Sequence, residues 1–339
     1  MKIALVHRRY TTNGGTERYL VGFSRWLVAR GHEVHVLCHE LRPDLATEPG
    51  IHFHHLPMIR PTRIGKVVSL YHSVDRALQK IDFDRVLGFG RHPGHDLFRA
   101  GGGSHRAYLR RVHPYRRWID PTDWVESWAD DQAIRSAKIV VANSQLNAMD
   151  LRQDHPGIRV EVVYNGVDLQ RFSPDSNVRR ELRAELGAQG PVALFLGTGF
   201  YRKGLDRAIA ALPPGWKLWV VGEGRPLPGP PSVSYFGPQR DPERFLRGAD
   251  VMILPTRYDP FANSCLEAMA CGLPVLTTPT NGASEVLPEP WMICDSRDQF
   301  HAALLRCTPE LGQRCRSVAE TMSASQSYAG LFVLLQESR

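Results

Sequence analysis

At 339 residues, with 42% hydrophobic and 23% charged side chains, the chain has the balance of a globular protein long enough for two domains and short for three. No apolar run approaches the roughly 18 residues of a membrane-spanning helix, and His7, Arg8 and Arg9 cut off the opening MKIALV before it could serve as a secretory leader. The formal charge of +7 is lopsided: residues 1–165 hold 24 Lys+Arg against 17 Asp+Glu and 13 of the 14 histidines, while residues 166–339 hold 18 of each sign.

A basic half beside a neutral half implies that the first half meets something anionic, such as a phosphorylated glycan, a membrane surface or nucleic acid. The six cysteines contain no C-x-x-C pair, which argues for reduced thiols rather than a disulfide framework or zinc site. The expected location is cytoplasmic.

Residues 3–6 (IALV) predict a strand, followed by a loop through Gly14 and Gly15. In the next segment Tyr19, Leu20, Phe23, Trp26 and Leu27 recur at helical spacing, and Gly31 stands where the helix should stop. Residues 34–37, 85–89 and 138–142 fit buried parallel strands. A polar segment at 175–190 separates these from a second series. There, strands at 192–197, 216–222, 233–237, 251–255 and 273–278 alternate with helices at 205–212, 242–248 and 264–271. Alternation of this kind predicts two doubly wound parallel sheets, α/β throughout, with ligands outside the carboxyl ends of the strands and a cleft between the domains. The boundaries are placed at 1–170 and 171–325, with residues 326–339 expected to form a helix that returns to the N-terminal domain.

Gly14 and Gly15 before a helix suit a phosphate at a helix N-terminus. They do not make a G-x-G-x-x-G, and no acidic residue ends the second strand as a dinucleotide fold requires, which counts against a dehydrogenase. In GTGFYRKG (197–204) a glycine-rich loop is followed by Arg202 and Lys203, cations able to neutralise a diphosphate without a metal. Asp259 and Glu267 stand with seven residues between them, the first in a loop and the second within a helix. No Asp-x-Asp metal pair follows a strand; Asp82 and Asp84 precede one. No nucleic-acid module or aromatic single-strand platform is present, so nucleic acid is not expected as a partner.

The 259–267 segment resembles the E-x7-E segment of the retaining nucleotide-sugar glycosyltransferases of GT-B fold, the large family 4 (glycosyl transferases group 1). Five other stretches agree in order: NGGTER, VANS (141–144), VVYNGVDLQRF (162–172), GTGFYRKGLDRAI (197–209) and VVGEG (220–224). Residues 85–103 further resemble the matching segment of bacterial lipopolysaccharide core glucosyltransferases, which add glucose to an inner-core heptose.

The resemblance implies a hexosyltransferase with two Rossmann-like domains. Arg202 and Lys203 would hold the donor diphosphate and stabilise the leaving group. Glu267 would bind ribose hydroxyls, and Asp259 with the amides of Ala262, Asn263 and Ser264 would bind the transferred sugar. Gly14 and Gly15 would approach the diphosphate, and Asp96 would sit beside sugar and acceptor as a catalytic residue, with His95 its neighbour. Where the family has Glu, this chain has Asp259, whose shorter arm bears on donor choice.

The implied donor is a nucleotide-diphosphate sugar, best UDP-glucose, with no metal and no cofactor. The implied acceptor is a lipopolysaccharide core or other cell-envelope glycan, reached at the cytoplasmic face of the inner membrane by peripheral association. Mannosyl, heptosyl or N-acetylhexosaminyl transfer is the alternative within the class, and a non-catalytic nucleotide-sugar-binding protein the alternative outside it. Arg106, Arg110, Arg111, Arg116 and Arg117, interleaved with aromatic residues after Gly101, Gly102 and Gly103, are expected to form a mobile loop that recognises an anionic acceptor or membrane surface.

Overall fold

A computed structural model describes every residue except Asn13, Arg60, Pro61 and Arg339, and describes Arg117 and Trp118 by backbone alone. Two compact units are formed, Met1–Tyr164 with Ser325–Arg339, and Asn165–Ala324.

The first unit is built on a seven-stranded, wholly parallel sheet in the order Ile51–His55, Glu33–Cys38, Lys2–Val6, Arg85–Gly88, Leu97–Arg99, Ile139–Ala142, Val160–Val162. Its inner strands Lys2–Val6 and Ile139–Ala142 are near-continuous apolar runs because both faces are covered, whereas the edge strand Ile51–His55 carries three histidines. Leu5, Val34, Val36 and Leu87 are buried with Leu20, Phe23 and Leu27 of the Gly15–Val28 helix on one face. On the other face, Ala4, Val6 and Leu37 pack with Val74 of the Arg63–Leu78 helix. The Ala324–Glu337 helix also packs into this unit. Tyr328 meets Tyr19 edge to face with centroids 5.0 Å apart, Tyr19 Oη and Ser327 Oγ are 3.0 Å apart, and Leu331 and Leu335 are buried.

The second unit is a five-stranded parallel sheet in the order Val233–Gly237, Lys217–Val221, Val192–Leu196, Val251–Leu254, Val275–Thr277. In each unit the first strand in sequence lies inside the sheet with later strands on both sides. The chain therefore winds one way and then the other, and the crevice outside the carboxyl end of that strand is where such sheets take ligands. In the second unit this is the end of Val192–Leu196, where residues 197–204 begin.

Candidate active site

The Val192–Leu196 strand is buried along its whole length and delivers the chain to Gly197 at its carboxyl end. A Cβ on Gly197 would lie 3.3 Å from Lys203 Cγ and Cε, so glycine leaves room for the lysine stem. Phe200–Lys203 makes a single helical turn, stopped by Gly204 at φ +79°. A side chain there would be strained, and its Cβ would come within 2.0 Å of the Pro255 carbonyl oxygen. The turn is tied to the next strand end as well: the Arg202 carbonyl accepts from Arg257 N–H at 2.8 Å and from Thr256 Oγ1 at 2.9 Å.

These constraints bring three charged groups together. Asp259 Oδ2 meets Arg202 Nη1 at 2.6 Å and Lys203 Nζ at 2.8 Å, while Asp259 Oδ1 accepts from the Phe261 N–H at 3.1 Å. Asp259 and Lys203 are buried. Burial alone would push the Asp259 carboxyl up; the charges of Lys203 and Arg202 outweigh it and hold the pKa at about 2. Two cations therefore share one ionised carboxylate, an excess of one positive charge at the carboxyl end of a buried strand.

The Asp259 loop is held from behind by Asn281. Its side-chain oxygen accepts from Ala262 and Ala283 N–H at 3.1 Å each, and its Nδ2 donates to Thr277 Oγ1 at 2.9 Å. Asp259 N–H donates to the Thr280 carbonyl and the Asp259 carbonyl accepts from Gly282 N–H, each at 3.0 Å. From this loop the Asn263–Ala270 helix starts with Ala262 as its N-cap. Ser264 lies in its first turn, and Asn263 Oδ1 accepts from Asn165 Nδ2. Glu267, in the middle of the helix, is buried at 8% exposure. Its charge and that of Glu243, whose carboxylate is 3.0 Å from Arg171, help raise the Arg171 pKa against burial.

Residues 13–171 match the family model for Glycosyltransferase Family 4, and residues 190–308 match that for Glycosyl transferases group 1. The chain belongs to the family 4 glycosyltransferases. It is 25% identical over 317 residues to the lipopolysaccharide glucosyltransferase WaaG of Escherichia coli, covering 85% of this chain and 83% of that one. An uncharacterised glycosyltransferase of Methanocaldococcus jannaschii is 25% identical over 330 residues with the same coverage. The WaaG crystal structure superimposes with a TM-score of 0.78 at 23% identity, covering 98% of this chain and 99% of that one. Anabaena HepE in complex with UDP-glucose gives a TM-score of 0.76 at 18% identity, covering 99% and 100%. The fold of this glycosyltransferase is GT-B, two parallel-sheet α/β domains.

Of the residues singled out in the sequence, Arg202, Lys203 and Asp259 are in mutual contact, and Ala262, Asn263, Ser264 and Glu267 lie on the loop and helix that follow. In the other unit Gly14 caps the Gly15–Val28 helix, and a Cβ there would come within 2.1 Å of Glu17 Oε2.

Asp96 requires a correction. It precedes the Leu97–Arg99 strand, at the amino-terminal edge of a sheet whose ligand edge is the carboxyl one. There its Oδ2 accepts from Val86 N–H at 2.9 Å and its Oδ1 meets Lys138 Nζ at 3.0 Å, so it clips neighbouring strand ends together. Its neighbour His95 is fully enclosed, ring-stacked on Phe98, and brought down to a pKa of about 4 by burial. The carboxyl edge carries His92 instead, its Nε2 3.3 Å from the Val6 carbonyl. Glu17 is nearby in sequence to the same edge, 2.8 Å from Arg9. Against burial, His7 and Arg9 hold the Glu17 carboxyl at about 2.

The basic segment is also corrected. Residues His105–Val112 form a helix capped by Ser104, not a mobile loop. Arg106 pairs with Asp131, Arg110 with Asp154, Arg111 with Asp150 at 2.7 Å, and Arg116 with Asp120 at 2.8 Å and Asp123 at 3.2 Å. The side chain of Arg117 lies outside the described residues.

Asn281 and Asn165 were not singled out. Asn165 sits in the YNGVD stretch that carries part of the family resemblance. Asn281 belongs to no such stretch, and its role comes only from the loop folded around it. Among the described residues no helix is long and apolar enough to cross a membrane.

Proposed function

We infer that the protein is a retaining, nucleotide-sugar-dependent hexosyltransferase whose donor diphosphate is neutralised by Arg202 and Lys203 rather than by a divalent ion. The observation that carries this reading is the pair of cations converging on the single buried carboxylate of Asp259 at the carboxyl end of the Val192–Leu196 strand. Asp259 keeps both cations aimed while leaving one positive charge unmatched for a phosphate. Glu267, buried on the adjoining helix where the family resemblance places the second acid of the segment, takes ribose hydroxyls. The Asp259 loop and the first turn of the Asn263–Ala270 helix face the transferred sugar.

In this mechanism the C1–O bond to the diphosphate breaks as the acceptor oxygen bonds to C1 on the same face. The acceptor proton passes to the departing phosphate oxygen, so no protein nucleophile is needed. The protein supplies position and charge stabilisation as negative charge builds on the leaving group. Likeness to WaaG, named a lipopolysaccharide glucosyltransferase, and to HepE, solved with UDP-glucose, supports UDP-glucose as donor and a lipopolysaccharide-core or related envelope glycan as acceptor.

The test is a thermal-shift panel of UDP-, GDP- and ADP-sugars with chelator present, followed by product analysis. Ligand binding raises apparent stability by mass action. UDP-glucose should give the largest shift, and nuclear magnetic resonance of the product should show retained anomeric configuration. Turnover that chelator abolishes and magnesium restores would remove the metal-free account.

Peripheral association with a membrane rests on different side chains from those first expected. With the arginines engaged by carboxylates, the exposed apolar groups nearby are Tyr115 at 82%, Ile119 at 75%, Trp124 at 55% and Trp128 at 41% exposure. Trp124 and Trp128 are one turn apart on the Pro121–Ser136 helix, and such rings favour the membrane–water interface. Liposome co-sedimentation should therefore be weakened more by Trp124→Ala with Trp128→Ala than by salt. Unchanged binding by that double variant counts against the aromatic anchor.

A further inference from the structure

Three histidines of the first unit, His35, His52 and His54, gather toward one edge of its sheet. The Ile51–His55 strand is the edge strand, and it pairs in parallel with Glu33–Cys38 so that His35 stands opposite His52 and Leu37 opposite His54. Side chains two apart on a strand share a face, so Glu33, His35, His52 and His54 project to the same side. Across such a pair, Cβ atoms stand about 5 Å apart.

The side chains confirm this arrangement. The rings of His35 and His52 lie 4.7 Å apart at 25°, and those of His35 and His54 lie 5.1 Å apart at 20°. His35 Nε2 is 2.8 Å from Glu33 Oε1, and His35 Nδ1 is 2.8 Å from His54 Nε2. One ligand atom from each of Glu33, His35 and His52 falls within 4.8 Å of the others. His35 is buried with its ring edge-on to Phe83, whereas Glu33 and His52 open to solvent.

We propose that Glu33, His35 and His52 bind a divalent transition cation of the zinc type at this sheet edge. One carboxylate and two imidazoles are a donor set for such ions, at roughly 2.0–2.2 Å from the metal. At those bond lengths two ligands of a tetrahedral ion stand roughly 3.3 Å apart. The Glu33–His35 separation must widen slightly for this, which the exposed glutamate can do by rotation. Water completes the fourth position.

His54 fits an outer role. When His35 ligates through Nε2, its Nδ1–H donates to His54 Nε2, fixing tautomer and ring plane as metal-bound imidazoles require. Lys2, beside Phe83, is a cation close by, and a dication bound here must tolerate it. The bound ion would fasten the edge strand to its neighbour.

The test uses the full chain stripped of metal. Cobalt(II) should give the visible bands of a tetrahedral nitrogen–oxygen site, and zinc should displace it with one equivalent bound by calorimetry. His52→Gln or Glu33→Gln should weaken zinc at least tenfold, and His54→Gln should weaken it by about 10–100-fold as loss of an outer partner does. His72→Gln, on the Arg63–Leu78 helix, should leave zinc binding unchanged. Both Glu33 and His52 are exposed, so these variants should fold, and circular dichroism checks that. No saturable zinc binding by the wild type, or wild-type affinity in the Glu33→Gln, His52→Gln double variant, would overturn the proposal.

Discussion

Two arginine-rich regions of this molecule look alike in the sequence and differ in what surrounds them. Around residues 106–116, four arginines meet five aspartates, Asp120, Asp123, Asp131, Asp150 and Asp154, so the local charge is matched within the unit. At residues 202–203, among the described residues, two cations share a single carboxylate partner, Asp259. Cation count is therefore a poor guide to anion binding. What matters is whether partner carboxylates outnumber or fall short of the cations, and the aspartates at 150 and 154 arrive from a helix some forty residues further along the chain.

The comparison breaks most sharply by mutation of the short-handed cluster. Arg202→Ala and Lys203→Ala should each lower kcat by about 10²–10³, the loss expected when a group that stabilises developing charge is removed. Thermal melts should show the fold intact. A variant that keeps its maximal rate and loses only donor affinity contradicts this assignment.

Glu267→Ala should cost about 1.5–3 kcal/mol of nucleotide binding, the worth of hydrogen bonds to a charged group. Calorimetry with the nucleotide product reads this directly, and unchanged affinity would take Glu267 out of the site.

The matched cluster should behave oppositely. Arg111→Gln leaves Asp150, only 2% exposed, without its closest cation, and should lower stability by about 1–3 kcal/mol. Turnover of donor with a soluble acceptor should stay at the wild-type level. A loss of turnover without a loss of stability would show that these arginines do meet substrate.

The smallest effect expected is on pH dependence. The Asp259 pKa is depressed in the folded state to about 2 from an ordinary 3.8, so the folded protein resists protonating it. The stability this contributes is fully present above about pH 4 and is lost as pH falls toward 2. Denaturant unfolding across that window should show a steeper acid loss for wild type than for Asp259→Asn. Parallel curves would mean that the carboxylate is not held as the geometry indicates.

Most of the strands were legible because runs such as Ile3–Val6, Ile139–Ala142 and Val192–Leu196 are uninterruptedly apolar, whereas Ile51–His55 and Leu97–Arg99, which carry polar side chains, were not. Short runs bounded by glycine and proline leave few alternatives to a buried parallel strand. The donor cluster was legible for a similar reason, since Arg202, Lys203, Asp259 and Glu267 sit in ordered stretches that resemble the family. Asp96 shows the limit. Its GHD context resembles the family, but which end of a strand a residue occupies depends on where pairing begins, and Asp96 falls one residue before Leu97. Asn281 marks a second limit. A buried asparagine that organises a loop through backbone contacts at 262 and 283 has no signature apart from the fold that encloses it.

The central claim is that Arg202 and Lys203 recognise the donor's diphosphate without a metal. It is tested most directly by calorimetric titration, in chelator, of UDP and UMP into wild type and into the Arg202→Ala, Lys203→Ala double variant. The account predicts that wild type prefers UDP over UMP strongly and that the double variant loses that preference while keeping its affinity for UMP. A double variant that still discriminates UDP from UMP as wild type does would contradict it.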